Sequence, residues 1–568
     1  MKPVIISIIV LCLVYSKAKA QDAPFTPVSL IDILQNKYDK DTSASAVVLR
    51  EFGEAHINNG DGYHVIFKYR ARIKILNKNG LGQANIEIPL RKQTNNLLER
   101  TIVIKASSFN LENNVVREEV LQEKDIFTEN RNKYYTIKKF AIPNVRVGSV
   151  IEFSYTLDSP FIYNFRSWEF QSDIPKMESE YWASIPGVYL YNISIRGFQK
   201  LSKNDSKIIP KCLGNGGDEL GNGYSADCAL MKFGMKNIPA FVEEDYMTSK
   251  NNFISSLQFE LSEIRRFDGT IDKVTKEWKD AEREMKQDTR FGVQLKKGKD
   301  IETEVKKLVD NESDELAKAK KIYQFIRDWY LWNETFGMFS ELGIQKAFDE
   351  KTGNVGDINL SLIAALRFAG LNVDPVILST RENGLATELY PVLSEFNYVI
   401  AKVNIGDKVY LADATEKFYP FDMLPERCLN GKGRVLGDGT SYWLDLKPSI
   451  NRKIVSLFNL TLDKDGVMRG SLSTRFMGYD AVSKRAEILS HQTLDAYITE
   501  LKSTLSQVEI TGYELKNMED LEKPVTRNLQ IEIRAFDNIE VANFLFNPFI
   551  LDKWAGNPFK SRERLYPV

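Results

Sequence analysis

Residues able to support nucleophilic or acid–base chemistry are few in this chain. It holds three histidines, His56, His64 and His491, and four cysteines, Cys12, Cys212, Cys228 and Cys428. A thiolate–imidazole pair needs both types within one core. The stretch that comes nearest to building such a site is DEKTGNVGDINLSLIAALRFAGLNVDPVIL, Asp349 to Leu378. A small-residue entrance leads there into an apolar run, then Gly370 and a β-rich segment. A helix N-terminus lowers the pKa of a thiol placed on it, and two later strands carrying a histidine and an aspartate would complete a Cys-His-Asp site. The strands exist as pattern. VDPVIL (Val373 to Leu378) reads as one, and FNYVIAKVNIGDKVYLADAT (Phe396 to Thr415) reads as a hairpin turning at Gly406-Asp407. With that turn Ile400 lies opposite Asp413, and Tyr398 and Asp413 share a face as diagonal neighbours, roughly 7 to 8 Å apart. A slip of one residue would send them to opposite faces. No histidine falls between the charged stretch ending near Asp300 and the end of this hairpin, so no Cys-His dyad can form inside the core.

The elements that must position these residues follow from periodicity. Ile358, Leu362, Ala365, Leu366 and Ala369 mark one helical face, while Leu360, Ile363 and Ala364 make the helix apolar nearly all round, as for a fully buried helix. Gly370 suits its C-terminal cap and Asp357 its N-terminal cap. Before it, Asn311 to Glu315 supplies a capping Ser313, and Leu316, Ala319, Ile322, Tyr323, Ile326, Trp329 and Tyr330 recur at helical spacing as a core stripe. WYLW, Trp329 to Trp332, reads first as core and second as a platform for stacking a ligand, which makes Trp329, Trp332 and Asp357 candidate cleft residues. Upstream, from about Ala46 to Leu261, YHVIFKYRARIKIL, GSVIEFSYTL and VYLYNISIRG read as strands between turns, and a β-sandwich-like domain is expected. The Lys/Glu/Asp-rich stretch from Lys273 to Asp300 reads as a solvated helix and then a linker. Beyond Phe421, a hairpin about Asp465-Gly466, one helix near Asp480 to Leu505 and a strand over Leu529 to Phe536 are expected. DKDG at Asp463 to Gly466 lacks the further ligands of an EF-hand loop and reads as a turn. The adjacent acids of FVEEDY, Phe241 to Tyr246, point in different directions and do not make a glycosidase pair.

At 568 residues the chain exceeds one core, and its composition, 43% hydrophobic and 27% charged, is globular. The net charge of -1 supplies no footprint for nucleic acid or anionic membrane. Residues 1–20, with Lys2, an apolar run and Ala18-Lys19-Ala20, read as a signal peptide, so an exported periplasmic or secreted chain beginning near Gln21 is expected, with no membrane span. An oxidising compartment would permit a Cys212–Cys228 bridge across the glycine-rich loop, and two buried thiols are the alternative. Cys428 then reads as a buried structural thiol. The expected fold is α+β multidomain: 21–285 β-sandwich-like, 286–420 papain-like α+β, and 421–568 β-rich with a helix. No cofactor and no metal site is expected.

KTGNVGDINLSLIAALRFAGLNVDPVIL, FNYVIAKV and YLADAT together resemble the transglutaminase-like domain of exported proteins from Bacteroidota. There a domain of unknown function precedes that core. FAIPNVRVGSVIEFSYTL, WEFQSDIPKMESEYWASIP and KNIPAFVEEDYMTSKNNFISSLQFEL look like the preceding domain, and LPERCLNGKGR and NPFKSRERLYPV like later segments. The resemblance implies a Cys at Val355, a His at Tyr398 and an Asp at Asp413, of which only the last is present. It also implies further β structure after RERLYPV. Valine has no nucleophilic atom and a phenol with pKa near 10 is a poor base at neutral pH. The expectation is therefore a pseudoenzyme without catalytic residues, binding a peptide, carbohydrate or envelope protein. A hydrolase or acyl-transferase using other residues, such as Cys428, and a purely structural envelope scaffold are the alternatives.

Overall fold

In the structure, a computed structural model, the described residues are 25–58, 63–93, 97–132, 134–163, 165–214, 224–274, 277–437, 441–505, 508–534, 557, 559 and 562–567. The leader read over 1–20, with Cys12, lies outside them. The chain is α+β and multidomain, and it divides into two compact units, Met1–Val242 with Ile254–Asp272, and Glu243–Phe253 with Lys273–Val568.

The first unit is built of strands. An eight-stranded sheet runs in the order Lys203–Gly214, Ser225–Ile238, Lys176–Pro186, Ala46–Ile57, Val65–Ile75, Val150–Ser159, Arg100–Glu112, Val115–Val120. Its one parallel pairing joins Ala46–Ile57 to Lys176–Pro186. A second sheet of Tyr189–Arg196, Ser256–Arg265 and Ile271–Lys273, with Trp168–Glu169, supplies the facing layer. Aromatic rings fill the space between them: Trp168 stacks on Tyr181 at 5.2 Å, and Tyr181 meets Phe259 at 5.9 Å. Such large rings dominate core energetics, and offset or edge contacts add to their burial.

A buried ion pair sits in this core. Lys176 Nζ donates to Glu51 Oε2 at 2.7 Å, Ser179 Oγ to the same oxygen at 2.6 Å, and Tyr69 OH to Oε1 at 2.8 Å. Both charged side chains are under one-tenth exposed. Parallel register brings them together, because Val48 pairs with Lys176 and Glu51 with Ser179. Cys212 and Cys228 are joined in a disulfide with Cα atoms 5.7 Å apart.

In the second unit the helix Val355–Phe368 is the centre. Val355, Ile358, Leu360, Leu362, Ile363 and Leu366 have no exposed surface, which accounts for an apolar pattern without a polar face. Strands Asn372–Leu378 and Tyr398–Ile405 pack against it, as do helices Lys299–Val309, Glu315–Trp329 and Ile344–Glu350. The strands belong to an antiparallel sheet ordered Lys408–Ala412, Tyr398–Ile405, Asn372–Leu378, Lys432–Val435, Tyr442–Asp445. The hairpin turns at Gly406-Asp407, with Ile405 paired to Lys408 and Ala401 to Ala412. A further sheet, Lys453–Leu462, Val467–Met477, Val525–Arg534 and Val508–Lys516, carries two helices.

Several expectations are corrected. The solvated helix and linker from Lys273 to Asp300 belong to the second core, since Met285, Phe291 and Leu295 are buried and Trp278 packs on Phe396 and Trp443. The two units divide after Asp272, and 243–253 belongs with the second, where Ser249 and Asn251 donate to Glu382 O. Lys299–Val309 is an unforeseen helix entered through Gly298 at φ 93, a conformation open to glycine. Asp314 rather than Ser313 caps the next helix, accepting from Ala317 N at 2.6 Å. The single helix expected near Asp480 to Leu505 is two, Tyr479–Ser490 and Leu494–Thr504, because Thr493 caps the second.

Candidate functional site

Asn354, not Asp357, is the N-cap of the central helix. Its Oδ1 accepts from Asp357 N at 2.7 Å while Asp357 Oδ2 accepts from Asn354 N at 3.0 Å, a closed capping box. Asp357 also accepts from Ser340 Oγ and from Leu342 N. It is fully buried, so it fastens the loop before the helix and does not line a cleft. Gly356 is needed for the same approach: a Cβ there would lie 2.3 Å from Phe339 O.

Val355 opens the helix, fully buried, with its N–H on Thr335 O at 3.2 Å. One turn on, and therefore on the same face, Asn359 reaches both hairpin strands. Its Nδ2 donates to Val399 O at 2.9 Å and to Asp413 Oδ1 at 3.2 Å, and its Oδ1 accepts from Ala414 N at 2.9 Å. The structure thus ties the first turns of the helix, through Asn359, to Asp413 and to the residue after Tyr398.

Tyr398 OH donates to Asp413 Oδ2 at 2.6 Å, and both residues are fully buried. Thr415 donates to Asp413 Oδ1 from its hydroxyl at 2.7 Å and from its backbone at 2.8 Å. Both hydroxyls in turn accept from one guanidinium: Arg427 Nε donates to Tyr398 OH at 3.0 Å and Nη2 to Thr415 Oγ1 at 2.7 Å. Arginine only donates and a carboxylate only accepts, so the direction of both hydroxyls is set. The cation and the anion are linked through two hydroxyl bridges. Arg427 also pairs with Glu416 and lies 4.5 Å from the Trp332 ring centroid.

Cys428, next in sequence, places its Sγ 3.7 Å from Asp413 Oδ2 and has no exposed surface. Burial, and then the facing carboxylate, push its thiol well above the ordinary range. Burial and the same carboxylate do likewise to the Tyr398 phenol. Neither group ionises near neutral pH. The histidines lie elsewhere, His64 on Asp158 in the first unit and His491 on Glu500.

The other cleft candidates separate. Trp329 stacks on Phe348 at 4.6 Å and donates to Phe348 O, which makes it a packing residue. Trp332, half-buried, does border the cluster through Arg427 and Phe336. FVEEDY is a docking strip: Glu244 accepts from Leu565 N at 2.9 Å and Asp245 O from Arg564 Nη2 at 2.6 Å. Asn359, Thr415 and Arg427 escaped the sequence reading. The first two carried a signal, a lone amide within an apolar helix and a hydroxyl two residues past Asp413. Among the described residues no cluster of three His, Cys, Asp or Glu could hold a metal ion. No helix there is long and apolar enough to cross a membrane.

Neither a search of protein families nor one of curated proteins returns a match. Among solved structures, a protein of Parabacteroides distasonis described as a "putative protease" is similar, at 11% identity and a TM-score of 0.49. The match covers 86% of this chain and 93% of that one.

Proposed function

We propose that this chain is an exported, non-catalytic protein in which a transglutaminase-like core serves as a rigid support, with binding to an envelope peptide, glycan or protein carried by other surfaces. The observation behind this reading is the saturated Asp413 carboxylate, which accepts from Tyr398, Thr415 and Asn359 while Arg427 donates to both hydroxyls. A catalytic carboxylate orients a base that must itself be free to take a proton. Here the seat holds a phenol whose proton is already committed. A packed polar network of this kind rigidifies a core instead of turning over substrate.

The mature chain is expected to incorporate no fluorescent primary amine into a glutaminyl peptide and to hydrolyse no peptide. Turnover abolished by Cys428→Ser would overthrow the reading. A second experiment examines the mapping: Val355→Cys with Tyr398→His should yield a thiol alkylated at neutral pH, because it would stand on a helix N-terminus beside an imidazole. An inert thiol in a folded double variant would mean that Val355 does not occupy the nucleophile's seat.

A further inference from the structure

The first unit contains a cavity of about 510 Å³ that the reading above does not use. This volume lies within the roughly 300–1,000 Å³ range of small-ligand sites. Its walls are aromatic. Tyr63 and Tyr189 meet edge to face at 6.4 Å, and Tyr224 and Phe267 lie 5.4 Å apart. Tyr189 and Leu213 are buried, whereas Tyr224 and Phe267 are exposed, so the cavity runs from the core to the surface.

Its frame is preformed. The Cys212–Cys228 disulfide ties the strand that contributes Leu213 to its neighbour. The turn carrying Arg266, Phe267 and Asp268 is closed by Arg266 N on Thr270 O at 2.8 Å and by Thr270 N on Asp268 Oδ1 at 2.8 Å. A rigid frame lowers the ordering cost of binding.

Charge narrows the ligand. Arg265 is answered by Glu263 at 3.3 Å and Arg266 by Asp272 at 2.7 Å. A cation would meet two guanidiniums, and an anion would meet Asp268 and find both guanidiniums already paired. The remaining demand is for a neutral molecule with apolar faces for the rings and hydroxyls for three phenols and Asp268. We propose that this cavity binds a neutral saccharide, its ring faces against Tyr224 and Phe267 and its hydroxyls toward Tyr63, Tyr189 and Asp268. The cavity is lined by residues of the first unit and the Asp413 cluster is built by the second, and either reading can fail alone.

Calorimetric titration of the mature chain with maltotriose, cellotriose, xylotriose and triacetylchitotriose tests it. At least one is expected to bind with a Kd at or below about 1 mM, unchanged between about 0.05 and 0.5 M NaCl because no ion pair forms. Tyr224→Ala and Phe267→Ala should each weaken that binding about tenfold with an unaltered circular dichroism spectrum. Hydrogen exchange on the unsubstituted chain gives a second readout: the saccharide should protect amides of Tyr189–Arg196 and Ser256–Arg265. Failure of all four saccharides at about 10 mM, binding of choline or N-acetylphenylalaninamide instead, unchanged affinity in both variants, or protection confined elsewhere would each overturn the proposal.

Discussion

Two buried carboxylates in this chain are satisfied in different ways. Glu51 holds its cation directly, with Lys176 Nζ at 2.7 Å and both side chains under one-tenth exposed. Asp413 holds its cation at one remove, through Tyr398 and Thr415, and Arg427 remains about one-fifth exposed. Both accept from a tyrosine and from a Ser or Thr hydroxyl. A direct buried pair leaves a full uncompensated charge when one partner is lost. In a hydroxyl-bridged pair the carboxylate keeps its nearest donors when the cation goes. The first arrangement is therefore brittle and the second tolerant.

The largest expected effect falls on the direct pair. Lys176→Met should destabilise the first unit by about 3–5 kcal/mol, because Glu51 is left buried without its cation; urea unfolding followed by hydrogen exchange within Ala46–Ile57 measures this. Next comes Asp413→Ala, which strands the donors of Tyr398, Thr415 and Asn359 and should cost about 3 kcal/mol in the second unit. Arg427→Met should cost only about 1 kcal/mol there. An Arg427→Met penalty equal to that of Lys176→Met would erase the distinction between bridged and direct pairs.

The smallest effect is one of pH. Folding holds the Cys428 thiol above its ordinary range, so the unfolded chain loses that proton first as pH rises through about 8.5. Above that point the native state binds more protons than the unfolded one, and this contribution to stability falls with increasing pH. Iodoacetamide at about pH 8.5 should leave Cys428 unmodified in the native chain and label it after denaturation, as mass spectrometry would read. Rapid labelling of the native chain would show a looser Asp413 cluster than the described distances allow.

Much of the second unit was legible in sequence because its signals are local. The apolar run from Ile358 to Leu366 announced a helix buried on all sides, and Gly406-Asp407 set the hairpin register that puts Tyr398 and Asp413 on one face. The charged stretch misled, because Met285, Phe291 and Leu295 are scattered among charged residues, some of which are themselves engaged, Glu282 with Arg434 and Lys286 with Gly437 O. Arg427 could not be foreseen: it lies 29 residues from Tyr398 in a short 3₁₀ turn without periodicity. Nor could the pairing of Glu51 with Lys176, 125 residues apart.

Composition alone determined that no histidine lies on the segment from Asp300 to the end of the hairpin, since the three histidines stand at 56, 64 and 491. Periodicity determined the buried helix and the hairpin, because side-chain direction repeats with backbone geometry. Only the tertiary structure decided what fills the site, a guanidinium bridged by two hydroxyls to a carboxylate. Hydrogen bonds act over about 3 Å, and chain order does not record which distant turn comes that close.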